Sequence, residues 1–124
     1  MKKLLWIIQG LLVFVFCGAG AMKISQPIDV LAVQMNWMNY FQPWMIRSIG
    51  IAEILCGMLL ILPVVIKLIP SQLIVLAGAG LSILMIGAVG THILLGEFDQ
   101  LMPATILLLL SVFVALKRKS ELWW

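Results

Sequence analysis

The chain has 124 residues, of which 64% are hydrophobic and only 10% charged, far from the roughly half-apolar, quarter-charged mix of a soluble domain. Four apolar runs approach the roughly 20 residues that cross a hydrocarbon core of about 30 Å, which makes this a membrane protein with no room for a soluble domain. The net charge of +3 reports topology, and nothing in it suggests a nucleic-acid partner.

The first run, Leu4 to Met22, follows Lys2 and Lys3. With Ala19-Gly20-Ala21 it resembles a secretory signal ending in an A-x-A site, but the apolar run continues through Met22, so it is expected to stay as the first helix. Cys17 and Cys56 are the only cysteines. On the expected spans they differ in depth by about 7 Å, near the limit for a disulfide, and no C-x-x-C suggests dithiol chemistry, so both are expected to be packing residues. The closing stretch Gly18-Ala19-Gly20-Ala21-Met22-Lys23 is faintly echoed by Gly87-Ala88-Val89-Gly90-Thr91-His92 in the third run.

Ile24 to Gln42 is too short and too polar to cross. Ile28, Leu31, Ala32, Met35 and Met38 repeat at helical spacing behind Pro27, which suits a first turn. This pattern predicts a short interfacial helix that could act as a lid, with an irregular aromatic loop as the alternative.

The second run, Met45 to Ile66, and the third, Gln72 to Leu95, are separated by a turn that Pro63 and Pro70 bracket around Lys67. A short acidic turn, Gly96 to Gln100, leads to the fourth run, Leu101 to Leu116, with Pro103 near its start. At 16 residues the last run measures about 24 Å and would need its flanks or a thinned bilayer to cross. Gly50 and Gly57 on the second helix, and Gly80 and Gly87 on the third, are seven apart and share a face; small residues let helices approach closely in lipid, so all four are expected to pack helix against helix.

The expected architecture is therefore all-α and polytopic: residues 1–124 as a single domain, with spans at about 4–22, 45–66, 72–95 and 101–116 in an antiparallel bundle. Lys2, Lys3, Lys67, Lys117, Arg118 and Lys119 fall on one side and only Lys23 and Arg47 on the other, which places both termini in the cytoplasm. Trp6, Trp123 and Trp124 would mark the inner interface, and Trp37, Tyr40 and Trp44 the outer.

Glu53 is the one carboxylate inside a span, about 12 Å below the outer start of its helix, where an unpaired charge costs several kcal/mol. Helical side chains lean toward the helix N-terminus, so Glu53 leans outward, while His92 and Lys23, on helices running the other way, lean inward. A Lys23-Glu53-His92 cluster follows. Arg47 lies about 120° around the helix from Glu53 and is expected to snorkel toward water. Thr91 can bond its own helix backbone. Glu97 and Asp99 are expected to be solvated turn acids, with Glu97 near enough to reach a pocket rim. With a lone histidine, no metal site is expected.

GAGAMKI (Gly18 to Ile24), RSIGIAEILCGMLLILP (Arg47 to Pro63) and GTHILLGE (Gly90 to Glu97), in this order across four short spans, resemble the DoxX and DoxX-like family of small bacterial membrane proteins. The resemblance covers nearly the whole chain. It implies a four-helix fold in the bacterial plasma (inner) membrane, with Lys23, Arg47, Glu53, His92 and Glu97 as the positions carried over. Some relatives are linked to thiosulfate:quinone oxidoreductase or to membrane oxidoreductase complexes, so the resemblance implies oxidoreductase subunits as partners.

Intramembrane ionisable groups line ligand or proton routes more often than not. The leading expectation is accordingly a small subunit or accessory of a membrane redox system. Its outward-opening pocket, with Glu53, His92, Lys23, Arg47, Glu97 and Thr91 as ligand-binding or proton-relay candidates, would take a quinone-like or other small amphipathic molecule. No bound cofactor is evident; a quinone is the one the chemistry suits, and a second copy of the chain is a further candidate partner. The alternatives are a proton-coupled transporter, whose small multidrug counterparts carry their glutamate in the first helix where this chain has none, and a ligand-free scaffold.

Overall fold

The computed structural model describes residues 2–122, and every regular element in it is helical. In chain order these are α1 (Lys2–Ser25), α2 (Ile28–Gln34), a 3-10 helix (Asn36–Tyr40), α3 (Pro43–Leu59), α4 (Leu62–Val65), α5 (Gln72–Leu95) and α6 (Phe98–Leu122). Four segments are long and apolar enough to cross a membrane: Lys3–Ser25, Pro43–Val65, Gln72–Leu95 and Phe98–Lys119. Trp123 and Trp124, expected at the inner interface, lie outside the described residues.

Two expected boundaries are corrected. The acidic turn shrinks to Gly96 and Glu97, because Asp99 and Gln100 join the first turn of α6, where an acid favours the helix N-terminus. Pro103 is accommodated within the helix. The fourth span consequently has 22 residues, enough to cross without thinning. The second span is interrupted between α3 and α4, at Leu60 and Ile61. Pro63 has no N–H, and its ring crowds the carbonyl of Leu59, so the continuous α ladder cannot pass it. Val64 N–H instead bonds the Ile61 carbonyl, which releases the carbonyl of Leu60. Gln9 of α1 donates its Nε2 to that oxygen, and Arg118 of α6 donates Nε to Gln9 Oε1 at 3.0 Å while lying 4.5 Å from the Trp6 ring. One amide thus ties α1, the α3–α4 break and α6 together at one end of the bundle.

The helices pack through small residues. A Cβ on Gly20 would stand 2.5 Å from the Gly50 carbonyl oxygen, and one on Gly57 would stand 2.8 Å from Cys17 Sγ, so α1 and α3 are nearly in backbone contact. Gly80 meets Cys56 Sγ of α3 at 3.0 Å, and Gly78 meets Ala115 of α6 at 3.0 Å. Gly87 does not share this role: a Cβ there would meet nothing within 4 Å. Both cysteines are free thiols. The main core, with Leu5, Leu12, Phe16, Leu60, Leu81 and Val114, fills the space between the four spans.

A second apolar cluster, Leu31, Met38 and Ile46, holds α2 and the 3-10 helix against the start of α3. The connecting segment is thus both short helix and irregular chain. Pro27, extended at φ −60°, precedes α2, and Met35, at φ −126°, breaks it before the 3-10 turn.

Gly20 and Gly87 should respond oppositely to a methyl group. Gly20→Ala forces the α1–α3 seam apart and is expected to destabilise by about 1–3 kcal/mol, whereas Gly87→Ala enters open space and should not lower the unfolding temperature. Thermal unfolding of the two variants in detergent, followed by tryptophan fluorescence, compares them directly.

Candidate functional site

Helix α1 stops early relative to its neighbour. Gly50, whose Cβ would stand 2.8 Å from Lys23 Cβ, is the eighth residue of α3, and Lys23 is the third from the end of α1. At a rise of about 1.5 Å per residue, the last turn of α1 therefore ends roughly 7 Å short of the level at which α3 begins. Its terminal carbonyls have no intrahelical partners, and lipid supplies none. Arg47 meets this need: its Nη1 donates to the carbonyls of Lys23, Ile24 and Gln26 at 2.7, 2.8 and 2.7 Å. The expectation that Arg47 only snorkels toward water is corrected, because its guanidinium closes the carboxyl end of a neighbouring helix, where a cation is also favoured by the helix dipole.

Six residues further along α3 than Arg47, Glu53 Oε1 accepts a hydrogen bond from Lys23 Nζ at 2.7 Å. Both side chains are buried, at 9% and 4% exposure. Lys23 Nζ also lies 6.0 Å from the centroid of Trp37, which stands edge-on to Phe41 at 5.4 Å. Trp37 is therefore folded inward over this pair, while Tyr40 and Trp44 stay exposed at 66% and 65%.

The second polar pair is local in sequence. Gly96, at φ 72°, ends α5 in the left-handed conformation that glycine adopts without steric cost. Gly96 N–H bonds the Ile93 carbonyl, and Glu97 N–H bonds the His92 carbonyl at 2.8 Å, the two bonds of a Schellman reversal. The reversal swings Glu97 back over its own helix, and His92 Nδ1 lies 3.0 Å from Glu97 Oε1. Glu97 is not the solvated turn acid expected of it: its side chain is 13% exposed and that of His92 is 10%. Asp99 is exposed, and Thr91 Oγ1 donates to the Gly87 carbonyl at 2.8 Å.

A cavity of about 370 Å³ runs between α1, α3, α5 and α6. Lys23, Glu53, Thr91, His92 and Gln100 give it one polar end, under Trp37 and Phe41; Phe16, Leu84 and Leu107 make the rest apolar. Of the candidates singled out in the sequence, Lys23, Glu53, Thr91 and His92 line this space together. Arg47 lies behind them as a cap, and Glu97 reaches the cavity through its contact with His92. The expected three-membered cluster resolves into two pairs. Lys23 satisfies Glu53, Glu97 satisfies His92, and no hydrogen bond links His92 to Glu53 among the described residues.

Gly87 also lines the cavity, which explains why it meets no partner helix. Sequence reasoning did not pick out Trp37 and Gln100 as lining residues, nor the Gln9–Arg118 lock. Gln9 did carry a signal, as the single amide in an otherwise apolar run, the kind of intramembrane polar side chain that needs a partner. The described residues include no group of three or more His, Cys, Asp or Glu placed to hold a metal ion.

Removing one member of the buried Lys23–Glu53 pair should cost more than removing both. Lys23→Met alone leaves an uncompensated carboxylate and is expected to destabilise by about 3–5 kcal/mol, while Lys23→Met with Glu53→Leu should recover most of that loss. A double-mutant cycle on unfolding in mixed detergent micelles measures the coupling.

Comparison with curated proteins and with solved structures returned no match. Residues 7–114 match the family model described as the DoxX-like family, and this stretch contains both polar pairs and every residue that lines the cavity. The chain is a multi-pass membrane protein that belongs to the DoxX-like family.

Proposed function

We propose that this protein binds a small amphipathic molecule of the quinone class in its cavity and serves a membrane redox system as a small subunit or accessory. The observation that carries this reading is the joint placement of the Lys23–Glu53 ion pair and the hydrogen-bonded His92–Glu97 pair at one end of an otherwise apolar space of about 370 Å³, within the range of small-molecule sites. A polar head with carbonyl oxygens suits that end. Lys23 keeps N–H bonds to donate beyond the one it gives Glu53. His92 meets Glu97 through Nδ1, and Nε2 remains as the ring's second polar atom. A reduced head group, which carries hydroxyl donors, could use that nitrogen as an acceptor.

In this reading residues 1–124 form one domain in the bacterial plasma membrane, its four spans antiparallel and both termini cytoplasmic. Lys67, Lys117, Arg118 and Lys119 then lie on the positive inner side. The polar end of the cavity lies toward the outer face, and α2 with the 3-10 helix covers it. Partners would be membrane oxidoreductase subunits or a second copy of the chain.

Glu53→Gln and His92→Ala test the reading in lipid nanodiscs. Quenching of tryptophan fluorescence by duroquinone should report saturable binding to the wild-type protein, and each variant that retains the wild-type melting profile should bind at least tenfold more weakly. Unchanged binding in both folded variants would favour a scaffold in which the pairs only hold helices in register. Proton-coupled uptake into proteoliposomes that Glu53→Gln abolishes would favour transport instead.

A further inference from the structure

The wall of the cavity is incomplete on one side, where lining residues are exposed on the outside of the bundle. Gly80 and Gly87 are seven residues apart on α5, so they point within about 20° of each other. A Cβ on Gly80 would press on Cys56 Sγ of α3 at 3.0 Å, yet one on Gly87, about 10 Å further along, would meet nothing within 4 Å. Helices α3 and α5 therefore touch at Cys56 and Gly80 and part beyond that point. Gly87 and Ile83 both line the cavity and are both exposed, Ile83 to 69%. Gly87 lies eight residues before the end of α5, about 12 Å down the helix, at a depth where the surroundings are hydrocarbon. A surface exposed there and continuous with the cavity opens onto acyl chains.

We infer that the cavity is filled sideways from the bilayer, through a portal between α3 and α5 that Gly87 keeps open, and that its ligand carries an alkyl tail which stays in this gap. The inference rests on the proposed binding of an amphipathic molecule and adds its route and chemical form. The geometry allots the two halves of such a molecule separately. The head meets the Lys23–Glu53 and His92–Glu97 pairs beneath Trp37 and Phe41, which lie across the end of the cavity. The tail passes Ile83 and Gly87, where no side chain projects from position 87 to stop it. Cys56 against Gly80 forms the floor of the portal. Lengthening the side chain at position 87 should therefore weaken binding of the tail more than that of the head.

Two benzoquinones with a common ring, duroquinone without a tail and a decyl-substituted analogue, distinguish the two halves in nanodiscs. Binding is read by tryptophan quenching and expressed per mole of probe in the membrane, so that partitioning cancels. The decyl probe should bind the wild-type protein at least tenfold more tightly than duroquinone. Gly87→Leu should bring the ratio of decyl-probe to duroquinone affinity close to one, and Gly87→Ala, whose methyl meets open space, should keep most of the wild-type ratio. Equal affinities for the two probes in the wild-type protein, or a Gly87→Leu variant that retains the tail advantage, would overturn the portal alone. Absence of saturable binding by either probe would overturn the pocket, and the portal with it.

Discussion

The carboxyl end of α1 is the constraint around which the rest of the molecule is arranged. A helix that stops short of its neighbour leaves carbonyl oxygens that its own ladder cannot satisfy. Arg47 answers by placing its Nη1, with two N–H groups, among three carbonyl oxygens, and Lys23, in the same last turn, answers the buried Glu53. The close approach of Gly20 to Gly50 brings these groups within reach, because a larger residue on that seam would push the helices apart. Backbone proximity, helix capping and charge pairing are thus one arrangement. The early stop also creates the space that α2 and the 3-10 helix occupy, and non-helical backbone at such a depth is tolerated where protein covers it.

The two ends of the bundle are tied in different ways. At the Arg118 end, Gln9 accepts from α6 and donates to the Leu60 carbonyl that the Pro63 break leaves open, so three elements converge on one amide beside a well-filled core. At the Lys23 end each polar group is satisfied within its own pair, Lys23 with Glu53 and His92 with Glu97. No bond crosses from one pair to the other among the described residues, and the space between them stays open as the cavity. A core that is filled at one end and parts at the other is what a binding site inside a small bundle requires. The packed end supplies the stability that the open end forgoes.

Much of this was legible in the sequence, and what was not has a common cause. The four spans follow from apolar length, and the meeting of Lys23 with Glu53 follows from the lean of side chains on oppositely running helices. The partner of His92 depended on the conformation of Gly96: only a left-handed residue there folds Glu97 back, and a solvated acidic turn was equally consistent with the composition. The role of Arg47 depended on the relative stagger of α1 and α3, which no periodicity reports. Gln9 was visible as a polar residue in an apolar run, yet its partners arise from a helix break and from a helix 109 residues away. Sequence patterns describe each helix by itself, whereas these contacts are set by the offset between helices.

The glycines of α5 show how far that offset decides function. Gly78 and Gly80 lie where α6 and α3 come within touching distance, and there the missing side chain brings helices together. Gly87 points almost the same way as Gly80 but lies two turns further along, where α3 has moved off. The same absence of a side chain that closes one part of the seam holds another part open. A spacing of seven therefore marks a shared face without saying whether a neighbour stands against it along its whole length. In a bundle whose helices diverge, a glycine stripe that starts as a packing surface can end as the wall of a cavity, and a larger residue costs stability at the first position and access at the second.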